Sequence, residues 1–214
     1  KILLILSLGA ILFIMWRILT IGISEYYVAK ALEGDIAAVQ AALSWNASHP
    51  KAQYLQARQI LESDPTQAEK LLRASLLSDP TNIDALQAMA TLQLAAENKQ
   101  VADKLMAEST RLAPANKFAR TQAGLYWARS GQIDLAVAEW DAALTTSTNQ
   151  GKEIFPILLR LAQSDETVMF LEPLIKKPPV WWPDFIKYMV KNAESLDTLV
   201  HIAALRMKSN VPLS

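Results

Sequence analysis

Prolines that interrupt alanine-rich segments at regular spacing are the feature of this sequence that most restricts its fold. The motifs "SHP", "SDP" and "LAP" end at Pro50, Pro80 and Pro114, which lie 30 and 34 residues apart. Between these prolines, apolar residues recur with the 3.6-residue period of an amphipathic helix. Each interval is long enough for two helices and a turn, so the pattern predicts an all-α fold built from repeated helical pairs.

The segment 117–150 carries the most complete repeat, with two helical patterns on either side of "SGQ". Small residues stand where paired helices would cross closely, and large ones stand beside them: Gly124, Ala136 and Ala143, with Trp127 and Trp140. This arrangement resembles the tetratricopeptide repeat, a 34-residue helix–turn–helix. The resemblance implies that Gly131 forms the turn between the helices, that both tryptophans are core residues, and that successive pairs stack into an α-solenoid.

Two preceding segments are similar to the same pattern. Residues 83–116 keep Leu86, Ala90, Ala102, Met106 and Pro114, and residues 50–82 keep Ala57, Ala68, Leu72, Ser75 and Pro80. Residues 25–49 read as a further helical pair with its turn at Gly34. We therefore predict tetratricopeptide-like repeats over 24–150 and a divergent helical region over 151–214 that caps the solenoid.

The resemblance also implies a concave groove lined by the first helix of each pair, of the kind that binds extended or helical segments of partner proteins. In-phase placement directs nine side chains at that groove: Lys51, Tyr54, Arg58, Asp84, Gln87, Thr91, Phe118, Thr121 and Leu125. They form a mixed polar surface without a dense cluster of lysine and arginine. The simpler alternative is that these side chains only face solvent.

Residues 2–23 form an apolar run with the length of a membrane-spanning helix. A retained transmembrane helix over 1–23 is the interpretation we favour, and a signal peptide cleaved near Gly22 and Ser24 is the alternative. Lys1 precedes the run and little positive charge follows it, so the positive-inside rule predicts a cytoplasmic amino end and a body on the other side of the membrane. We expect that membrane to be a bacterial inner membrane, with the body in the periplasm.

Four residues near the end of this run are candidates for contact with lipid or with another membrane protein. Arg17 either extends to the headgroups beside Trp16 or pairs with a group on a second transmembrane protein, because an unpaired charge in the bilayer is costly. Tyr26 and Tyr27 have the character of an interfacial aromatic belt.

The stretch "KKPPVWWPDF" places Trp181 and Trp182 between prolines, outside the repeat pattern. Prolines without amide donors predict an extended turn here, followed by a helix that starts near Pro183. Three roles for the tryptophan pair are consistent with the sequence. The rings could close the fold as a plug, bind a partner protein as an aromatic anchor, or touch the membrane interface.

Several function classes are excluded or unsupported by composition. The absence of cysteine excludes disulfides and thiolate catalysis, and 21 basic against 21 acidic residues indicate no nucleic-acid footprint. His49 and His201 stand far apart, so we expect surface or capping roles for both rather than metal ligation. No catalytic or phosphate-binding motif occurs, and we expect neither an enzyme nor a cofactor or metal site.

These inferences combine into one expected function. The chain is predicted to be a membrane-anchored scaffold or accessory subunit that binds other proteins and stabilises or assembles an integral membrane complex. The alternative is a scaffold for envelope polysaccharide or protein export machinery, which would bind partners transiently through the groove.

Overall fold

The computed structural model describes residues 2–193 and 197–208, and over these ranges the chain is helical and contains no β-strand. Short 3-10 turns at Thr148–Gln150 and Val168–Leu171 accompany the α-helices. Those helices are α1 (Ile2–Leu32), α2 (Ala38–Trp45), α3 (Pro50–Ile60), α4 (Pro65–Ser78), α5 (Ile83–Ala95), α6 (Lys99–Leu112), α7 (Lys117–Arg129), α8 (Ile133–Thr146), α9 (Gly151–Gln163), α10 (Glu172–Lys176), α11 (Trp182–Asn192) and α12 (Asp197–Lys208).

Helix boundaries follow a common period along the chain. The helices α5, α7 and α9 each have 13 residues and begin 34 residues apart, and α4, α6 and α8 each have 14 residues with the same spacing. Side chains at the starts of α5 and α7 cap them alike, since Asn82 accepts from the Ala85 amide and Asn116 from two amides. The period therefore extends through α9, into the region where the repeat pattern of the sequence fades.

Two of the predicted turns require backbone conformations that favour glycine. Gly34 has φ of +111° between α1 and α2, and Gly131 has φ of +79° between α7 and α8. A side chain at either position would be strained, because this region of backbone space is left-handed. Both glycines thus act as the turn residues that the sequence pattern indicated.

The chain divides into two compact units, residues 1–109 and 110–214, with the boundary inside α6. In the first unit, α2 packs on the carboxyl-terminal half of α1, and α3 packs on α4. Val28 of α1, Val39 and Ala42 of α2, and Ala52 and Leu55 of α3 form one buried cluster. A single helix, α1, therefore contributes both an exposed apolar stretch and part of the core of this unit.

The second unit is centred on tryptophans. Trp127 and Trp140 are buried, as predicted, and α7 packs along α8. A Cβ atom placed on Gly124 would overlap the Trp140 indole, so glycine is required at this helix crossing. The 34-residue repeat pattern had placed a small residue and a large one at these two positions for the same physical reason.

Candidate interaction surfaces

The first candidate surface lies on α3 and α5 in the first unit. Lys51 of α3 forms an ion pair with Asp84 of α5, and its ammonium group lies 5.1 Å from the centre of the Tyr54 ring. Both charged side chains are partly exposed, and Arg58 on the next turn of α3 is exposed. An exposed ion pair contributes only about 0–1 kcal/mol to stability, so its main effect is to hold two opposite charges in a defined place.

Tyr54 gives this surface an aromatic side chain in an unusual environment. Burial raises the pKa of the Tyr54 phenol above its ordinary value of 10.0, and the Asp84 carboxylate raises it further. The Arg58 guanidinium acts in the opposite direction through its charge and a hydrogen bond. The phenol is consequently held neutral as a hydrogen-bonding group between a carboxylate and a guanidinium.

Gln87 and Thr91 are the other predicted groove residues on α5, and they differ in exposure to solvent. Gln87 is buried and donates from its side-chain amide to the Ser109 hydroxyl, 3.1 Å away on α6. Thr91 is exposed, and its hydroxyl donates to the Gln87 carbonyl one turn back. Gln87 therefore joins two helices, whereas Thr91 stays on the accessible surface.

A second candidate surface lies on α7 in the second unit, and its predicted residues also differ in whether they are exposed or buried. Phe118 is 62% exposed, with the Lys117 ammonium 5.2 Å from the centre of its ring, and Leu125 is half-buried. Thr121 is buried, donating to the Lys117 carbonyl and lying 3.1 Å from the side-chain oxygen of Gln150. Phe118 is thus the accessible apolar side chain of this helix, and Thr121 belongs to its packing.

A third candidate surface is the exposed part of α1. Within the described residues, α1 carries one segment, Leu6–Leu32, that is long and apolar enough to cross a membrane, and a signal sequence near the amino end would pass the same test. Trp16 and Arg17 are both exposed on it. Tyr26 is exposed as well, whereas Tyr27 packs against the buried cluster of the first unit.

Trp45 is a residue that the sequence patterns did not single out. It ends α2, and its ring centre lies 6.3 Å from that of Trp16 on α1. The two side chains are 38% and 55% exposed. The repeat pattern assigns no role to this position. A tryptophan in the short polar stretch "SWNAS" was nevertheless a signal that could have drawn attention to it.

Trp181 and Trp182 are 1% and 4% exposed, in the second unit. The Trp181 indole nitrogen donates to Asp141 of α8 over 2.8 Å, and its ring packs with Phe155 of α9 and Phe185 of α11. Rings buried in this way are not available to a partner or to lipid. The contacts match the role of a plug, in which the pair closes α11 onto α8 and α9.

An apolar groove of about 570 Å³ in the first unit was also missed by the sequence patterns. Its apolar lining comes from Leu76 and Leu77 of α4, Met89 of α5, and Val101 and Leu105 of α6, and its polar lining from Arg73, Gln93 and Asn98. Leu77 is highly exposed, although it follows buried positions on the same helix. Helical periodicity predicts the buried side of α4, but it does not predict which neighbouring helices leave space beside it.

The described residues contain no group of three or more histidine or acidic side chains that could hold a metal ion. A surface or a capping role was expected for His49, and it caps α3: Nδ1 accepts from the Ala52 amide at 3.4 Å, and the side chain is buried. Its Nε2 lies 3.1 Å from a carboxylate oxygen of Glu25, without the alignment of a hydrogen bond. The side chain of His201 lies outside the described residues.

Comparison with known proteins does not extend these observations. The chain matches no protein-family model. No curated protein matches it either. The candidate surfaces are therefore interpreted from their own geometry and chemistry.

Proposed function

We propose that this chain is a single-pass membrane protein whose tetratricopeptide-like helical pairs hold other proteins at the bilayer, as a scaffold or an accessory subunit of a membrane complex. The observation that carries the proposal is the continuity of α1. One helix runs from an exposed apolar stretch into the buried cluster formed with α2 and α3. A body joined to its membrane segment in this way is held close to the bilayer.

The repeat interpretation is supported by the period of the helices. Starts of α5, α7 and α9 are spaced by 34 residues, as are those of α4, α6 and α8. Gly124 packed against Trp140 supplies the small and large pair that the tetratricopeptide resemblance assigns to a helix crossing. Stacked helical pairs of this type present one helix of each pair to partner proteins.

Retention of the amino-terminal helix is supported by its role in packing. Ser24 is buried and its hydroxyl donates to the Ala42 carbonyl of α2 over 2.9 Å, and Val28 lies in the cluster below. Cleavage near Gly22 or Ser24 would leave this part of the core at a new chain end, where helices fray. We therefore propose a retained anchor in a bacterial inner membrane, with the helical body in the periplasm on the basis of flanking charge.

The chemistry of the accessible groove residues favours binding over catalysis. In the first unit, Lys51, Asp84 and Arg58 offer both signs of charge beside the neutral Tyr54 phenol. Such a set suits a polar peptide segment of a partner protein, since tyrosine and arginine are enriched among residues that dominate binding energy. The proposed activity needs no cofactor.

Cross-linking in native membranes followed by mass spectrometry tests this proposal. We expect a protein partner that co-purifies in stoichiometric amount with the full chain, and a yield reduced several-fold by Arg58→Glu. Lys70→Glu is the matched control, because Lys70 is an exposed basic residue on the second helix of the same pair, α4. A chain that purifies as a monomer without any cross-linked neighbour contradicts the proposal, and a neighbour lost on washing favours the transient export or assembly scaffold.

A further inference from the structure

Burial along α1 changes abruptly at one position. Every residue from Leu6 to Leu19 is exposed. Thr20, Ser24 and Val28 are buried, and their spacing of four residues places them along one side of the helix. On that side Ser24 contacts α2, and Val28 packs against α2 and α3. The helix therefore consists of a bare part that ends at Leu19 and a packed part that begins at Thr20.

Length and charge place the membrane boundary near this position. The apolar segment Leu6–Leu32 has 27 residues, which at 1.5 Å per residue is about 40 Å, and the hydrocarbon core of a bilayer is about 30 Å thick. Glu25 and Lys30 lie in the packed part, and a carboxylate oxygen of Glu25 is 3.1 Å from Nε2 of His49, the residue before α3. Charged side chains are costly in hydrocarbon, so Glu25 and the residues that follow it lie outside the hydrocarbon, and the boundary falls between Trp16 and Glu25.

The helix α2 runs back toward this boundary. Val39, near its start, packs with Val28, and the Ala42 carbonyl accepts from Ser24. Trp45, at its end, reaches Trp16, whose ring centre is 6.3 Å away. Two partly exposed indoles from different helices thus stand side by side, with the exposed Arg17 next to one of them on α1.

We propose that Trp45 and the α2–α3 turn that follows it, residues 46–48, lie in the headgroup region of the bilayer. The first unit is then docked on the lipid surface at a second point instead of being held by α1 alone. Indole rings favour this region because they combine an apolar body with a polar N–H group. The turn itself, Asn46-Ala47-Ser48, carries no charge that would oppose such contact.

The interfacial aromatic belt then consists of other residues than the sequence led us to expect. Tyr26 and Tyr27 lie beyond Glu25, and Tyr27 is committed to the core of the first unit. The pair formed by Trp16 and Trp45 takes the interfacial position in their place. The inference rests on the proposed function only in that α1 must cross a bilayer.

Spin labels on single cysteines test the inference, because the chain has no native cysteine. Full-length variants Ala47→Cys, Ser63→Cys and Leu12→Cys are reconstituted in vesicles of phosphatidylcholine and phosphatidylglycerol, and collision with oxygen and with a water-soluble nickel chelate gives the depth of each label. Ser63 lies in the α3–α4 turn, exposed and beyond the far end of α3 from Ala47, and so serves as the aqueous reference.

We expect the label at Ala47 within about 5–10 Å of the phosphate level, the label at Ser63 in water, and the label at Leu12 deep in hydrocarbon. A label at Ala47 as aqueous as the one at Ser63, with Leu12 still deep, overturns the docking of the turn and leaves the anchor intact. An aqueous label at Leu12 overturns the membrane anchor of the proposed function.

The variant Trp45→Ser is expected to move the Ala47 label into water while the far-UV circular dichroism is unchanged. If the depth of the Ala47 label is unchanged in that variant, Trp45 does not hold the turn at the headgroups.

Discussion

Gly124 is the residue where the repeat pattern and the packing depend most directly on each other. Its missing side chain leaves room for the Trp140 indole, which is 1% exposed. At most helix positions, replacing glycine by alanine stabilises by about 1 kcal/mol. Here the overlap opposes that gain, because a buried tryptophan must shift to admit the added methyl group.

We expect Gly124→Ala to lower the free energy of unfolding by about 2 kcal/mol, measured by denaturant unfolding of the detergent-solubilised chain. Gly22→Ala is the matched control, since a Cβ atom there would meet nothing within 4 Å. Equal stability of the two variants would contradict the close crossing of α7 and α8.

The raised pKa of Tyr54 predicts that one side chain contributes a pH-dependent part of the free energy of unfolding. Its pKa is raised by burial and by Asp84, so the folded chain holds the phenol proton more tightly than the unfolded chain does. This contribution to stability is complete below the ordinary pKa of 10.0 and is lost as pH rises through the higher pKa of the folded chain.

The free energy of unfolding of the native chain should therefore fall more steeply than that of Tyr54→Phe between about pH 9 and about pH 11. Denaturant titrations of both chains across that window measure the difference. Lysine deprotonation affects both chains alike, so parallel curves would show that the phenol does not have the environment described.

At the scale of elements, the hydrogen bond from Trp181 to Asp141 joins the start of α11 to α8. A hydrogen bond to a charged group contributes about 1.5–3 kcal/mol, and we expect Trp181→Phe to lower the free energy of unfolding by that amount. Val180→Ala is the control, because Val180 is 90% exposed and precedes the tryptophan directly. A loss no larger than that of the control would show that the plug does not stabilise the second unit.

At the scale of the whole molecule, the two parts of α1 have different consequences for stability. The bare part has no buried side chain from Leu6 to Leu19, whereas the packed part contributes Ser24 and Val28 to the core. A chain that lacks residues 1–19 should retain its helical circular dichroism in aqueous buffer.

Removal of residues 1–28 costs the Ser24 hydrogen bond and the burial of Val28, together about 2–3 kcal/mol. We expect this chain to melt about 4–12 °C below the chain that lacks residues 1–19. Thermal melts of the two truncated chains in the same buffer provide the comparison. Matching melting temperatures would mean that residues 20–28 of α1 do not stabilise the fold.

Local patterns predicted much of the fold. Helical period, prolines and turn glycines indicated an all-helical chain, the turns at Gly34 and Gly131, and the burial of Trp127 and Trp140. The candidate surface was predicted less well. Gln87 and Thr121 were assigned to an exposed groove, yet both are buried against neighbouring helices. Repeat phase specifies the direction of a side chain from its own helix, but contacts with other helices decide whether that side chain is reached by solvent.

The sequence by itself determined the features that depend on near neighbours along the chain: helix, turn, cap and the apolar stretch of α1. Only the tertiary structure decided where the bare part of α1 ends, that Trp45 stands beside Trp16, and that Trp181 is closed onto Asp141. Each of these depends on residues far apart in sequence, 29 positions for the first pair and 40 for the second. Helix propensity and periodicity act over a few residues, whereas burial and indole contacts are set by which helices pack together.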